Sequence, residues 1–182
     1  MPAPRAVSRK DELLIAVDGD GSALGACEKA ACHSGNGIRH SAFLIMLFDG
    51  AGRLMLARRS PRKILWPGFW DGTVAGHFHP GEDKDAALRK RVLEETGLVC
   101  GAPKYLFAFA YAARYGDVGS ENEVCEVYEA AVAPSGTIPL DPEEISEHRF
   151  VALADVEKDA AAGAAGLAPW FVLAVRKRST AI

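Results

Sequence analysis

The segment around residues 83–97 constrains the fold most, because both ends of a helix are marked in it. Asp83 is a residue type that caps helix N-termini, and Gly97 stands where a left-handed residue commonly ends a helix. Charged residues interrupted by alanine, leucine and valine lie between them. These signals predict one helix over residues 83–96, around which the other elements must be arranged.

Apolar runs before and after this helix predict strands, several of them joined by glycine-containing turns. Strands are predicted at residues 13–17, 42–48, 53–58, 105–115, 123–132 and 148–152, helices at residues 154–161 and 169–178, and a short helix or loop at residues 24–30. Hairpins mixed with helices predict an α+β fold, in which a mixed β-sheet is sandwiched between α-helices. We expect residues 1–11 to be a flexible N-terminal arm and residues 12–182 to be a single domain.

The charge of the chain limits the partners that it can bind. Its 182 residues carry a formal net charge of -3, whereas non-specific nucleic-acid binding needs a basic excess. No run approaches the roughly 18 apolar residues that span a bilayer, and the start shows no apolar signal segment. The four cysteines form no Cys-x-x-Cys pair, which favours free thiols. We therefore expect a cytoplasmic monomer or homodimer without nucleic-acid or membrane partners.

Two adjacent glutamates, Glu94 and Glu95, fall in the last turn of the predicted helix, where the helix dipole disfavours negative charge. Lys90 lies one turn before Glu94, and Arg91 lies one turn before Glu95, so two solvated ion pairs are one interpretation. The other interpretation is a divalent cation bound by Glu95, because hard cations prefer oxygen ligands.

The surrounding spacing favours the cation, because it resembles the Nudix box. The matching positions are Gly76, Glu82, Glu94, Glu95, Gly97 and Leu98. Lys90 replaces the arginine of the pattern, and Arg91 replaces the glutamate beside it, which in Nudix hydrolases commonly helps to bind metal or acts as a base. An arginine can do neither, since it keeps its proton. The resemblance therefore implies a Nudix fold but argues against ordinary Nudix hydrolysis.

From about residue 29 to residue 170 the chain resembles the type 1 isopentenyl diphosphate isomerases, which have the Nudix fold. Matching segments are Glu28-Lys29-Ala30-Ala31-Cys32-His33, Arg39-His40-Ser41-Ala42-Phe43, Arg58-Arg59, Trp66-Pro67-Gly68-Phe69-Trp70, Gly76-His77, Glu121-Asn122-Glu123-Val124 and Ala168-Pro169-Trp170. The resemblance implies a metal-dependent enzyme that protonates the alkene of an isoprenoid diphosphate.

The same resemblance implies which residues form the site. The ligands of one divalent metal would be His33, His40, His77, Glu121 and Glu123. Imidazole and carboxylate suit zinc, manganese or iron, and magnesium is a further candidate. Glu95 would bind Mg²⁺ together with the diphosphate, and the diphosphate-contacting cations would be Lys29, Arg59, Lys63 and Arg91. Glu123 and Tyr111 would supply the proton, and the Trp170 ring would face the cationic intermediate. Trp66 and Trp70 are interpreted as core residues.

Ala75 departs from that family, in which a cysteine stands immediately before the Gly-His pair. A methyl group cannot transfer a proton, so normal isomerisation should be severely impaired, by a factor of about 10²–10⁴ for a lost acid–base group. Ala75 is either an introduced substitution or the residue of a natural variant with different chemistry. In the second case a longer prenyl diphosphate could be cyclised after protonation, with its diphosphate retained.

Nearby small residues are consistent with a larger pocket or with tight strand packing. They are Gly72, Ala110, Ala112 and Ala113. Two other functions stay open at this stage, a Nudix diphosphate hydrolase and a non-catalytic diphosphate-binding protein.

Overall fold

The computed structural model describes residues 12–181. The predicted flexible arm, residues 1–11, lies outside the described residues. The strands are β1 Leu13–Val17, β2 Ala23–Glu28, β3 His40–Phe48, β4 Leu54–Arg59, β5 Trp70–Asp71, β6 Val74–His77, β7 Lys104–Tyr115, β8 Gly119–Ala131 and β9 Ile145–Val151. The helices are α1 Lys29–Cys32, α2 Lys84–Thr96, α3 Leu153–Ala161 and α4 Pro169–Ala181.

A mixed sheet is built around β3, which pairs in parallel with β8 and antiparallel with β1, β4 and β6. β7 and β8 form a long antiparallel hairpin, and β9 pairs with β4. Both faces of β3 are buried, and its sequence is therefore an almost continuous run of apolar residues. The predicted strands and their mixed pairing are therefore confirmed.

Side chains of β3 alternate between two hydrophobic cores, as a strand requires. Phe43, Ile45 and Leu47 pack with residues of α2, while Leu44 and Met46 pack with residues of α3 and α4. The sheet thus lies between helices on its two faces, which confirms the predicted α+β arrangement.

Helix α2 begins and ends where the sequence predicted. The Asp83 side chain accepts a hydrogen bond from the Ala86 backbone N–H at 2.9 Å, which caps the first turn. Gly97 has φ 68° and its N–H donates to the Leu93 carbonyl. A Cβ on Gly97 would lie 2.4 Å from Pro139 Cγ, so both the backbone conformation and the packing require glycine here.

One expectation from the sequence is wrong, and one of two open alternatives is excluded. Residues 24–30 were expected to form a short helix or loop, but most of them form β2, because hydrogen bonding to β1 along the sheet edge outweighs their weak strand propensity. The small residues were considered as pocket enlargement, but none of them lines the main cavity of the described chain; they are Gly72, Ala110, Ala112 and Ala113. At Gly72 a Cβ would meet Phe171 at 2.5 Å, so tight packing accounts for this glycine.

Between residues 12 and 181 there is no helix long and apolar enough to cross a membrane. All four cysteines are free thiols. Trp66 is buried in the core beside α4, as expected for a packing residue.

Candidate active site

Strand register brings three of the predicted site residues together. β8 carries Glu123 between β3 and β7, and Glu123 stands opposite His40 on one side and opposite Tyr111 on the other. Glu121 lies two residues earlier on β8, so its side chain points to the same face of the sheet.

β6 and α1 complete a cluster of possible metal ligands. His77 ends β6, beside Ala42 of β3, and His33 follows the last residue of α1. One ligand atom from each of five side chains lies within 4.8 Å of every other, and the five residues are His33, His40, His77, Glu121 and Glu123. The imidazole centroids are separated by 4.8 to 5.1 Å.

Backbone carbonyls orient two of the imidazoles. His33 Nδ1 lies 2.8 Å from the Lys29 carbonyl oxygen, and His40 Nδ1 lies 2.8 Å from the Ile38 carbonyl oxygen. A carbonyl can only accept, so in both rings Nδ1 carries the hydrogen and Nε2 faces the cluster. Histidines that bind metals are commonly held in this way.

The cluster has buried polar atoms that protein contacts do not satisfy. Within residues 12–181, His40 Nε2 and Glu121 Oε2 form no hydrogen bond although both are buried. His40 Nε2 lies 3.4 Å from Glu123 Oε1, and Glu121 Oε2 lies 3.0 Å from His33 Nε2, without hydrogen-bond geometry in either case. Unsatisfied buried polar groups are costly, whereas a divalent cation would coordinate these atoms. The residues therefore fit a divalent metal.

Burial and mutual contacts determine the protonation of the cluster. Burial lowers the pKa of His77 to about 3, against the opposing contact with Glu123, so this imidazole is neutral. Burial alone would raise the pKa of Glu123, but the imidazoles of His40 and His77 lower it well below the usual range. The pKa of Glu121 is raised by burial and by the neighbouring Glu123 charge. Burial lowers the pKa of His33, but its contacts with Glu121 and with the Lys29 carbonyl outweigh burial and raise it. Imidazole and carboxylate groups of this kind bind a divalent metal in their deprotonated forms.

A phenol is attached directly to this cluster. Tyr111 Oη donates a 2.5 Å hydrogen bond to Glu123 Oε2, and both groups are buried. Burial first, and the Glu123 charge second, raise the pKa of Tyr111 well above its ordinary value. Tyr111 therefore keeps its proton and points it at the carboxylate.

A cavity of about 510 Å³ connects the cluster to the other predicted site residues. Ala75, Tyr111 and Trp170 line it beside residues of the His/Glu cluster, together with the apolar side chains of Ile64 and Leu65. This volume lies within the usual range for small-molecule sites. The cavity therefore offers an apolar space next to an acid, a ring face and a methyl group.

The same cavity is also lined by charged side chains. The four cations that the sequence assigns to a diphosphate all line it, namely Lys29, Arg59, Lys63 and Arg91. Glu95 lies among them, and burial raises its pKa to about 7 despite the opposing charge of Arg91. Arg91 Nη2 lies 2.5 Å from Glu95 Oε1, so this one of the two ion pairs considered from the helix spacing is present, although Glu95 is buried rather than solvated.

Two carboxylates in this charged region were missed by the sequence analysis. Glu144 forms an ion pair with Lys63 and lies 3.6 Å from Arg91, and Glu12 lies 2.7 Å from Lys29. No motif surrounds either glutamate, so only tertiary structure identifies them. Their contacts neutralise much of the positive charge that would otherwise face an anionic ligand.

The fold and the site together define a Nudix-domain protein with a His/Glu cluster that could hold a metal, beside a charged pocket. The NUDIX domain family matches residues 38–171, which is more than half of the chain. Solved structures agree on the fold: DR0079 from Deinococcus radiodurans has a TM-score of 0.69 and 22% identity, with 91% of this chain and 98% of that chain covered. The MutT protein from Methanosarcina mazei has a TM-score of 0.59 and 19% identity, covering 78% and 94%.

Relatives with similar sequences show to which branch of the Nudix family the chain belongs. The isopentenyl-diphosphate Delta-isomerase of Halobacterium salinarum is 38% identical over 168 residues, covering 90% of this chain and 78% of the relative. The enzyme of that name from Frankia alni is 38% identical over 167 residues, covering 89% and 83%. The chain belongs to the isopentenyl-diphosphate isomerase-like branch of the Nudix family.

Proposed function

We propose that this protein is a metal-dependent enzyme that protonates an alkene of a prenyl diphosphate and cyclises the resulting carbocation, with the diphosphate retained. The observation that carries the proposal is the buried Tyr111–Glu123 pair at 2.5 Å, in a cavity whose lining also includes Ala75 and Trp170. Relatives named as isopentenyl-diphosphate isomerases support the substrate class.

The acid in this proposal is the Tyr111–Glu123 pair. A proton relayed through the phenol and carboxylate would add to one alkene carbon and leave a tertiary cation on the other. The five-residue cluster would hold a divalent metal, which when bound supplies positive charge that fixes the Glu123 carboxylate and makes the Tyr111–Glu123 pair release its proton more readily. The Trp170 ring, 6.4 Å from the Tyr111 ring by centroids, offers a π face to that cation.

Ala75 determines the next step in the proposal. It lines the cavity with a methyl group, which cannot remove the proton that would complete an isomerisation. The cation then persists until a second alkene of the same chain attacks it and forms a carbon–carbon bond. The new cation ends as an alkene by losing a proton to the Tyr111–Glu123 pair, which regains the proton that it gave. The product is therefore an isomer of the substrate.

This step requires a substrate with at least two alkenes, of which geranyl diphosphate is the smallest example. The cavity of about 510 Å³ is of small-molecule size, and its volume alone does not select the length of the prenyl chain.

Charge balance supports a second cation at the diphosphate. Lys63 and Arg91 already face Glu144 and Glu95, and Lys29 already faces Glu12. A diphosphate therefore meets a region in which side-chain charges largely cancel. Mg²⁺ held by Glu95 would supply the missing positive charge, and Arg59 would add a further cation.

The experiment is incubation of the metal-loaded protein with isopentenyl, geranyl, farnesyl and geranylgeranyl diphosphates, followed by product analysis. The expected result is a cyclic product that still carries its diphosphate from at least one of the longer substrates. Release of phosphate or pyrophosphate would instead support a Nudix hydrolase. Tight binding with no turnover of any of the four would support a non-catalytic diphosphate-binding protein.

A further inference from the structure

Asp71 is a buried carboxylate that the proposed mechanism does not use. It ends β5, and its residue is only 2% exposed. Both carboxylate oxygens accept from the indole Nε1–H of Trp170, at 3.0 and 2.9 Å, and Oδ1 also accepts from the Gly72 N–H at 2.7 Å. Asp71 accepts in each of these hydrogen bonds, as an ionised carboxylate does. Burial raises the pKa of Asp71, while Arg59 and these N–H donors oppose the rise.

Arg59 places a permanent positive charge near the same indole. Its Cζ lies 5.0 Å from the centroid of the Trp170 ring, and its Nη1 lies 3.7 Å from Asp71 Oδ2. The carbonyls of Leu65 and Trp66 accept hydrogen bonds from this guanidinium at 2.8 and 3.1 Å, which fix its position. A guanidinium held here would oppose any second cation on the Trp170 ring unless a negative charge compensates it.

The geometry points to Asp71 as a positioning residue that fixes the Trp170 indole and offsets the charge of Arg59, so that the ring can stabilise a carbocation. This inference rests on the proposed function. A carboxylate that accepts the indole N–H also increases the electron density of the ring, which strengthens its attraction for a cation. Loss of a desolvated cation–π contact would lower a rate by roughly 30-fold, and this is the largest loss of kcat expected when Asp71 is replaced.

The first test is kinetic and uses Asp71→Asn, which keeps the shape and an acceptor oxygen but removes the charge. We expect kcat to fall by about 10- to 30-fold while KM changes by less than about threefold. In a Trp170→Phe background the same substitution should lower kcat by less than about threefold, because the indole through which Asp71 acts is gone. An equal loss of kcat in both backgrounds, or a rise in KM with unchanged kcat, would overturn the inference. Asp20→Asn, at an exposed aspartate in the turn between β1 and β2, is the control and should change neither constant.

The second test is spectroscopic and needs no turnover. The chain has 3 tryptophans, so the indole N–H resonances can be resolved by NMR and that of Trp170 assigned from Trp170→Phe. Asp71→Asn should shift the Trp170 indole resonance and leave those of Trp66 and Trp70 in place. An unshifted Trp170 resonance overturns this inference, whereas an inactive wild-type protein overturns the proposed function, so the two failures are distinguishable.

Discussion

Replacing Ala75 by cysteine tests whether a proton acceptor is what the pocket lacks. Ala75 lies on β6 opposite Leu44, and its methyl group lines the cavity that also contains Tyr111, Glu123 and Trp170. A sulfur atom added to this side chain would enter a cavity of about 510 Å³ rather than a close-packed core. We therefore expect Ala75→Cys to fold normally and to gain isomerisation of isopentenyl diphosphate.

The size of this gain can be bounded from the site. An added acid–base group contributes about 10²–10⁴ in rate, or about 2.7–5.4 kcal/mol of barrier. We expect a rate gain at the lower end of this range, because the cavity disfavours a thiolate. The Cys125 thiol, which lines the same cavity, has its pKa raised well above the ordinary value, by burial first and by Glu123 second. A thiol at residue 75 meets a similar environment, so we expect a gain of about 10².

The assay is conversion of isopentenyl to dimethylallyl diphosphate by the metal-loaded protein, with wild type and Ala75→Ser measured alongside. Serine has nearly the size of cysteine but a hydroxyl that does not ionise in the working pH range, so it controls for shape. If Ala75→Cys is folded, binds its metal and is no more active than Ala75→Ser, the reasoning about a missing proton acceptor is refuted.

Two further predictions concern the metal cluster and helix α2. At a free metal concentration of 100 times Kd, binding should stabilise the wild type by about 2.7 kcal/mol and raise Tm by roughly 5–11 °C. Calorimetry should show the same rise in the control variant His148→Ala and no rise in His40→Ala. An equal rise in both variants would exclude the cluster as the metal site. Gly97→Ala should lower Tm more than Gly116→Ala, because both glycines have positive φ but only at Gly97 would a Cβ meet another residue, Pro139, at 2.4 Å. Equal losses of Tm would contradict that packing argument.

Local signals predicted the elements that local chemistry determines. Asp83 and Gly97 mark the ends of α2 through capping interactions between residues close in sequence, and β3 is recognisable because both of its faces are apolar. The candidate metal ligands were predicted by resemblance to a family, and the structure brings those five side chains within 4.8 Å of one another. Their assignment as ligands stays a prediction until a metal is measured.

Other features depend on contacts between distant parts of the chain. β2 forms because β1 offers it hydrogen bonds, which its small residues do not signal. Asp71 meets Trp170 across 99 positions of sequence, and Glu144 meets Lys63 across 81. A single buried carboxylate carries no periodic pattern, so only the folded arrangement shows which cation or N–H group it faces.

Deuterium incorporation tests the central claim most directly. Geranyl and farnesyl diphosphates would be incubated in D₂O with metal-loaded wild type and with Glu123→Gln, and the products examined by mass spectrometry. Protonation of an alkene by the Tyr111–Glu123 pair predicts a cyclic diphosphate with one added C–D bond from wild type and none from Glu123→Gln. Products without carbon-bound deuterium, or equal labelling by the Glu123→Gln protein, would contradict the claim that Glu123 and Tyr111 deliver a proton to a prenyl chain.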